Sequence, residues 1–396
     1  MPHPAANPVI PLNRPEILES DIELVVDTLR RGTLSVGPRL LEFEQLVAER
    51  TRRSFGVGVS SGAIAIEIAL RALGIGPGDE VLVPAFGYSG MPNSVLNVGA
   101  RPVFVDVDPM SLNMDPESAA KRIGKKTKAM LAALTFGNPA QFPELIALCS
   151  RMEIPMVENA SEALGTTYGA DNAGRWGRVA CLGFWSNRQV TTGEGGMLVT
   201  HDDTLAASCR ALRHQGRVDR MSFSGQPRDI GAILEHIAIG GYDARMTESA
   251  AALGCGQIRR LDSTIERRQA VATAYVRRLA ANPDILLPTI PEGSSVSWAN
   301  FVVRLSTRYT CDDRDAIIGV LHRQDIGAAN YYPATSLLPQ VRAVMGTEPG
   351  QFPVAESAAA RTIALPFFNN MTEEEVNIVC DVLEMALNRT GGTHRA

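Results

Sequence analysis

Lysine is nearly missing from this chain. Lys121, Lys125, Lys126 and Lys128 are all it has, and they fall within eight residues, ahead of the apolar run Ala129 to Leu134. That placement suits a solvated helix end and a turn into a strand, so chemistry needing a lysine amine elsewhere has no candidate. The six cysteines, Cys149, Cys181, Cys209, Cys255, Cys311 and Cys380, form no C-x-x-C pair and have no histidine at metal spacing. They read as reduced thiols in or near the core, with no metal site and no disulfide framework. No run reaches the roughly 18 apolar residues that span a bilayer. The start, Met1 to Ala6, lacks the basic and apolar regions of a signal peptide. A net charge of −5 argues against a nucleic-acid-binding stripe. These absences leave a cytoplasmic protein with a small-molecule substrate or partner, no membrane and no nucleic acid. There is no internal repeat or low-complexity tract, and only the termini look loose.

At 396 residues, 45% hydrophobic and 20% charged, the chain has enough apolar material for a sizeable core, and its length suggests about two domains. Ile64, Ile68 and Leu70 stand at core spacing in a helix expected from Ala63 to Leu73. Strand-like runs follow at Glu80 to Val83, Pro102 to Val105, Ala129 to Leu134, Pro155 to Val157 and Gly196 to Thr200. Alternating strands and helices imply an α/β fold, with a mostly parallel sheet covered by helices on both faces.

Several segments then occur in a telling order. Ser60-Ser61-Gly62-Ala63-Ile64-Ala65-Ile66 is followed by Gly74-Ile75-Gly76-Pro77-Gly78-Asp79-Glu80-Val81, Pro102-Val103-Phe104-Val105-Asp106 and Val157-Glu158-Asn159-Ala160-Ser161-Glu162-Ala163-Leu164-Gly165. Gly183-Phe184-Trp185-Ser186-Asn187-Arg188 leads into Gly193-Glu194-Gly195-Gly196, and Arg213-His214-Gln215-Gly216, Arg245-Met246-Thr247-Glu248 and Leu365-Pro366 come after. Together they resemble the DegT/StrS sugar aminotransferases of the aspartate aminotransferase superfamily, over nearly the whole chain. The resemblance implies a PLP-transferase-like (fold-type I) large domain over residues 1–260 and a smaller α+β domain over 261–396. The connection between them would be the charged helix that begins near Asp262 to Arg268.

The family's motif, S-F-x-x-x-K-x-x-x-x-G-E-G-G, places the lysine that forms a Schiff base with pyridoxal phosphate (PLP) where this chain has Arg188. A guanidinium stays protonated and cannot condense with an aldehyde. Further departures accompany it. Ala63 and Gly183 stand where hydroxyls help hold the cofactor phosphate, and each such charged hydrogen bond is worth about 1.5–3 kcal/mol. Asp243 stands where an asparagine reaches that phosphate from the partner subunit, and like charges about 4 Å apart repel by about 4 kcal/mol at an effective dielectric near 20. Asn159 replaces the aspartate that keeps the pyridine nitrogen protonated, and Glu162 falls near the ring's anionic oxygen. Tyr88 fits the ring-stacking position. No cofactor is therefore expected, PLP and pyridoxamine phosphate being disfavoured.

The expectation is a PLP-independent homologue that transfers protons (elimination, isomerisation, cyclisation or hydrolysis) on a small polar metabolite of sugar or specialised-metabolite biosynthesis. The family's homodimer, with shared sites, is expected with it. Arg188 would orient the substrate and Glu162, or Asp243 from the neighbouring subunit, would move the proton. Tyr88, Asn159, Trp185, Ser186, Asn187 and Tyr331 would contact the substrate. Three alternatives stand beside this. Arg188 forms a structural salt bridge with Glu162 or Asp243; the chain is an inactive partner in a heterodimer with a lysine-bearing homologue; or it uses freely exchanging pyridoxamine phosphate, as sugar dehydratases that lack the lysine do. His214 is expected to be structural, and Glu194 to fix the turn into the next strand.

Overall fold

The apolar runs become the strands of one sheet, buried on both faces. The computed structural model describes residues 9–217 and 240–391, so the expectation about the first six residues lies outside them. Two helices come first, α1 (Glu19–Arg31) and α2 (Pro38–Arg50). The sheet is built from β1 (Phe55–Val59), β2 (Glu80–Pro84), β3 (Arg101–Val105), β4 (Thr127–Ala133) and β5 (Met156–Asn159). A small hairpin follows, β6 (Thr167–Tyr168) and β7 (Asp171–Asn172), and then β8 (Val179–Gly183) and β9 (Gly196–Thr200) complete the sheet. Its order is β1-β9-β8-β5-β4-β2-β3. β8, β5, β4, β2 and β3 run parallel, and β9 lies antiparallel to both β8 and β1.

β1 and β8 lie outside the strand-like runs expected from the sequence, and the reason is local. β1 reads Phe-Gly-Val-Gly-Val, and alternate glycines look like a turn. They are instead clearance for a helix: a Cβ at Gly56 would meet the Glu44 carbonyl oxygen at 2.5 Å, and one at Gly58 would meet Leu40 Cδ1 at 2.6 Å. Small side chains let α2 press against the strand.

Helices α3 (Gly62–Ala72), α4 (Gly90–Asn97), α5 (Pro116–Arg122), α6 (Phe142–Arg151), α7 (Asp203–Arg213) and α8 (Glu248–Arg259) cover the sheet. Val57, Ile68, Val83 and Leu131 belong to the apolar core on one face, and Phe43, Leu82, Met130 and Phe184 to that on the other. Both faces are closed, which accounts for unbroken apolar strands such as Met-Leu-Ala-Ala in β4.

The long helix α9 (Leu261–Leu279) then enters a separate core. There β10 (Ile285–Leu286), β12 (Phe301–Leu305) and β13 (Thr362–Leu365) form an antiparallel sheet, while β11 (Ser294–Ser295) joins the β6–β7 hairpin. Tyr275 of α9 stacks on Phe301 at 4.7 Å between centroids and donates its hydroxyl to the Pro366 carbonyl at 2.8 Å. That single side chain ties the helix to the sheet by apolar area and by a satisfied buried hydroxyl. Five of the six cysteines are buried and all are free thiols; Cys311 is exposed.

Candidate active site

The parallel strands all end on one edge, where open α/β sheets place their ligands. A cavity of about 310 Å³ opens there, walled by the segments that leave β2, β4, β5 and β8 and by the start of α3. Its wall includes Tyr88, Asn159, Glu162, Trp185, Arg188 and Tyr332. β5 delivers a carboxylate, Glu158, and a carboxamide, Asn159, to opposite sides, as a strand's alternation requires. Glu158 points away from the cavity and accepts backbone N–H bonds from Gly174 (2.6 Å), Trp176 (2.9 Å) and Gly177 (3.0 Å). Asn159 faces the cavity, and its Oδ1 accepts the Ser161 N–H at 3.2 Å, shaping the turn that carries Glu162.

Glu162 is the hub. Its Oε1 accepts from Arg188 Nη1 (3.0 Å), Asn300 Nδ2 (2.9 Å) and the Tyr332 hydroxyl (2.6 Å), and its Oε2 accepts the Phe136 N–H at 2.8 Å. Four donors converge on this one carboxylate and occupy its oxygens. Burial works against the Arg188 charge, but Glu162 and Tyr332 outweigh it and raise its pKa further. Burial, and then the Glu162 charge, push the Tyr332 phenol well above its usual value.

The loop that carries Arg188 is fixed by its own backbone. Phe184 N–H donates to the Gly195 carbonyl and Thr192 N–H to the Phe184 carbonyl, both at 2.9 Å. Thr191 and Thr192 hydroxyls bond the Phe184 and Glu194 carbonyls, and Gly193 takes the left-handed conformation that favours glycine. The threonines and backbone hold this turn, whereas the Glu194 carboxylate lines the cavity with no hydrogen-bond partner among the described residues.

The expected residues therefore divide. Arg188, Glu162, Tyr88, Asn159 and Trp185 meet at the cavity, with Tyr88 44% and Trp185 52% exposed at its mouth. Ser186 and Asn187 turn to a smaller pocket behind Arg188. Tyr331 stands off the main wall and stacks on Tyr332 at 4.9 Å, which in turn stacks on Phe136 at 5.6 Å. Asp243 lies away from its own chain's cavity and pairs with Arg245 at 2.5 Å. His214 Nδ1 meets Arg245 Nη1 at 2.7 Å. Asn300 was not among the expected residues; it is 138 positions from Glu162, and no local pattern marks it.

At the other end of the cavity, Ser61 caps α3 by accepting the Ile64 N–H at 3.3 Å, and the first N–H groups of that helix face the space beside Ser161 and Gly183. Free N–H groups and the helix dipole make this the anion-friendly end. A Cβ on Gly62 would meet Gly183 Cα at 3.0 Å, so these two turns pack backbone to backbone. None of the four lysines lines the cavity. Lys128 is the second residue of β4, and Ala133, at the strand's far end, lines the cavity about 16 Å away at 3.3 Å per residue. No group of three or more potential metal ligands occurs among the described residues, and none of their helices is long and apolar enough to cross a membrane.

Sheet order and cavity define a protein of the fold-type I aminotransferase class. The aminotransferase TlmJ from Streptoalloteichus hindustanus superposes with a TM-score of 0.86 at 28% identity, covering 96% of this chain and 99% of that one. DesV of S. venezuelae, in complex with a ketimine intermediate, gives 0.82 at 31% identity over 92% and 94%. The chain belongs to the DegT/DnrJ/EryC1/StrS aminotransferase family, whose profile matches residues 15–384. Its relatives include the GDP-perosamine synthase of Caulobacter vibrioides, 32% identical over 89% of this chain and 91% of that protein. The pleiotropic regulatory protein of Geobacillus stearothermophilus is 31% identical over 92% and 94%.

Proposed function

We propose that this chain is a sugar-aminotransferase homologue that forms no Schiff base and works on a small polar, anionic metabolite by proton transfer. The observation that carries the reading is the cavity floor: a guanidinium paired to Glu162 stands there, and no lysine is within reach. The test of PLP against this donor set gives a divided answer. The α3 end suits a phosphate. At the ring end, the Asn159 amide nitrogen has no partner among the described residues and offers an N–H where a protonated pyridine needs an acceptor. At the aldehyde end, Arg188 cannot become a neutral amine. The residues do not fit the covalently held cofactor.

In this reading the chain's own groups divide the work. Glu162, with its lone pairs committed, holds Arg188 so that the guanidinium is preorganised for an anionic or enolate-like oxygen. Proton transfer falls to a carboxylate outside that hub, Glu194 at the mouth or Asp243 from a second copy, while Tyr88 and Trp185 offer flat apolar surface to a sugar ring. A nucleotide-linked sugar is the substrate class that the relation to GDP-perosamine synthase suggests. One observation favours a second reading: the anion-friendly start of α3 would also hold the phosphate of freely exchanging pyridoxamine phosphate, which needs no lysine.

The test is to incubate the protein with PLP, reduce with borohydride and measure the intact mass, for the wild type and for Arg188→Lys. Neither should carry an adduct in the cavity nor transfer amino groups, and incubation with nucleotide-linked ketosugars in deuterated water should exchange a carbon-bound hydrogen of one of them. A cavity adduct on the wild type, or amino transfer by either protein, overturns the proposal. Saturable binding of pyridoxamine phosphate would select the second reading.

A further inference from the structure

Behind the Arg188–Glu162 pair lies a second, smaller pocket, between the segment Asn13–Glu16, the Arg188 loop, α9 and Phe367. It has room for about one water-sized particle, a volume of roughly 10 Å³ for its centre. Arg268 of α9 lines it. That residue is 3% exposed, and its Nε and Nη1 have no hydrogen-bond partner among the described residues. The guanidinium sits over the Phe367 ring at 5.3 Å. Arg188 lines the same pocket from the other side, and its Nε is buried without a partner as well.

The charges do not balance. Two guanidinium groups line it, Arg268 buried and the Arg188 side chain 12% exposed, and Glu162 is the carboxylate bonded to one of them, through Arg188 Nη1. Glu16, which also lines the pocket, is taken: its two oxygens accept from Arg267 Nη1 and Nη2, each at 2.7 Å, and Oε2 also accepts from Asn369 at 3.1 Å. Burial first, and Arg188 second, lower the Arg268 pKa to about 9, so it still carries its charge at neutral pH. An unpaired buried cation is costly, and unmade buried N–H bonds add to that cost.

We propose that this pocket binds a small monovalent anion, chloride under ordinary conditions, held between Arg188 Nε and Arg268 Nε and Nη1. A halide accepts several N–H bonds with little directional demand and supplies the missing negative charge. Two buried acceptors on the same wall, Asn187 Oδ1 and Gln189 Oε1, also lack partners. The ion would fix the far side of the guanidinium whose near side Glu162 holds, which makes this a positioning site for Arg188. It rests on those contacts alone and stands whether or not the main cavity takes a cofactor.

The full-length protein crystallised from sodium bromide should give an anomalous peak within hydrogen-bond distance of Arg188 Nε and Arg268. In solution, its Tm should be about 2–4 °C higher in sodium chloride or bromide than in sodium gluconate at equal ionic strength. Arg268→Met should lose that difference. Electron density without a bromide signal, meaning water alone, overturns the proposal, as does a halide-dependent rise of undiminished size in Arg268→Met. Should that variant not fold, the wild-type bromide crystal decides the matter.

Discussion

Two buried arginine–glutamate pairs in this molecule differ in what surrounds them. Arg213 and Glu44, with side chains 2% and 5% exposed, pin α7 to α2. The same guanidinium nitrogen donates to the Gly58 carbonyl at 2.9 Å, and the same carboxylate oxygen accepts the Gly58 N–H at 2.8 Å. That pair is a rivet around one residue of β1, closed on every side. Arg188 and Glu162 are bonded as directly, but they border open space in front and the small pocket behind, and the guanidinium keeps an unpartnered N–H. An ion pair that consumes all its donors reads as architecture; one that leaves donors facing a cavity is equipped to receive a ligand.

The largest effect should come from breaking the closed pair. Glu44→Ala removes the carboxylate bonded to the buried Arg213 and to the Gly58 N–H and should lower unfolding stability by about 3–5 kcal/mol, read from urea denaturation. A loss under about 1 kcal/mol would remove the contrast. Glu162→Gln keeps the shape but withdraws the charge that Arg188, Asn300 and Tyr332 all address. It should cost about 1.5–3 kcal/mol, with anionic ligands binding differently in the main cavity. Ligand affinity unchanged by that substitution would mean that the pair is as structural as its counterpart.

The smallest effect belongs to a partly exposed comparison pair, Arg267–Glu16, whose side chains are 38% and 10% exposed. Hydrogen bonds from Arg267 hold Glu16 down to about 2, against its ordinary 4.5. A carboxylate with a lowered folded-state pKa contributes stability that is complete above its unfolded value and is lost as pH falls through the folded one. Solvent screens this pair, so its share should stay under about 1 kcal/mol. Between pH 4.5 and 2 the wild type should therefore lose slightly more stability than Arg267→Ala. Identical acid profiles would show that the pair contributes nothing.

The positions of five central strands and of α3 were legible because burial on both faces leaves apolar runs that need no partner to be seen. β2, β3, β4, β5 and β9 fall on or within a few residues of the expected runs. β1 escaped because its glycines answer to α2, which only the packed structure places beside it. At the cavity, Arg188, Glu162, Asn159 and Tyr88 stood out as departures inside recognisable segments. Asn300 carried no such mark, and Glu194 looked like a turn residue because the glycines around it do make a turn.

The sequence by itself determined the order of strands and helices, the family, and the confinement of every lysine to one short segment, since these depend on residue type and spacing alone. Tertiary structure decided which side chains meet. It set four donors around Glu162 from segments up to 170 positions away, and it brought Arg268 of α9 against the same guanidinium. Charges act through space, and the distances that govern them exist only once the chain has folded.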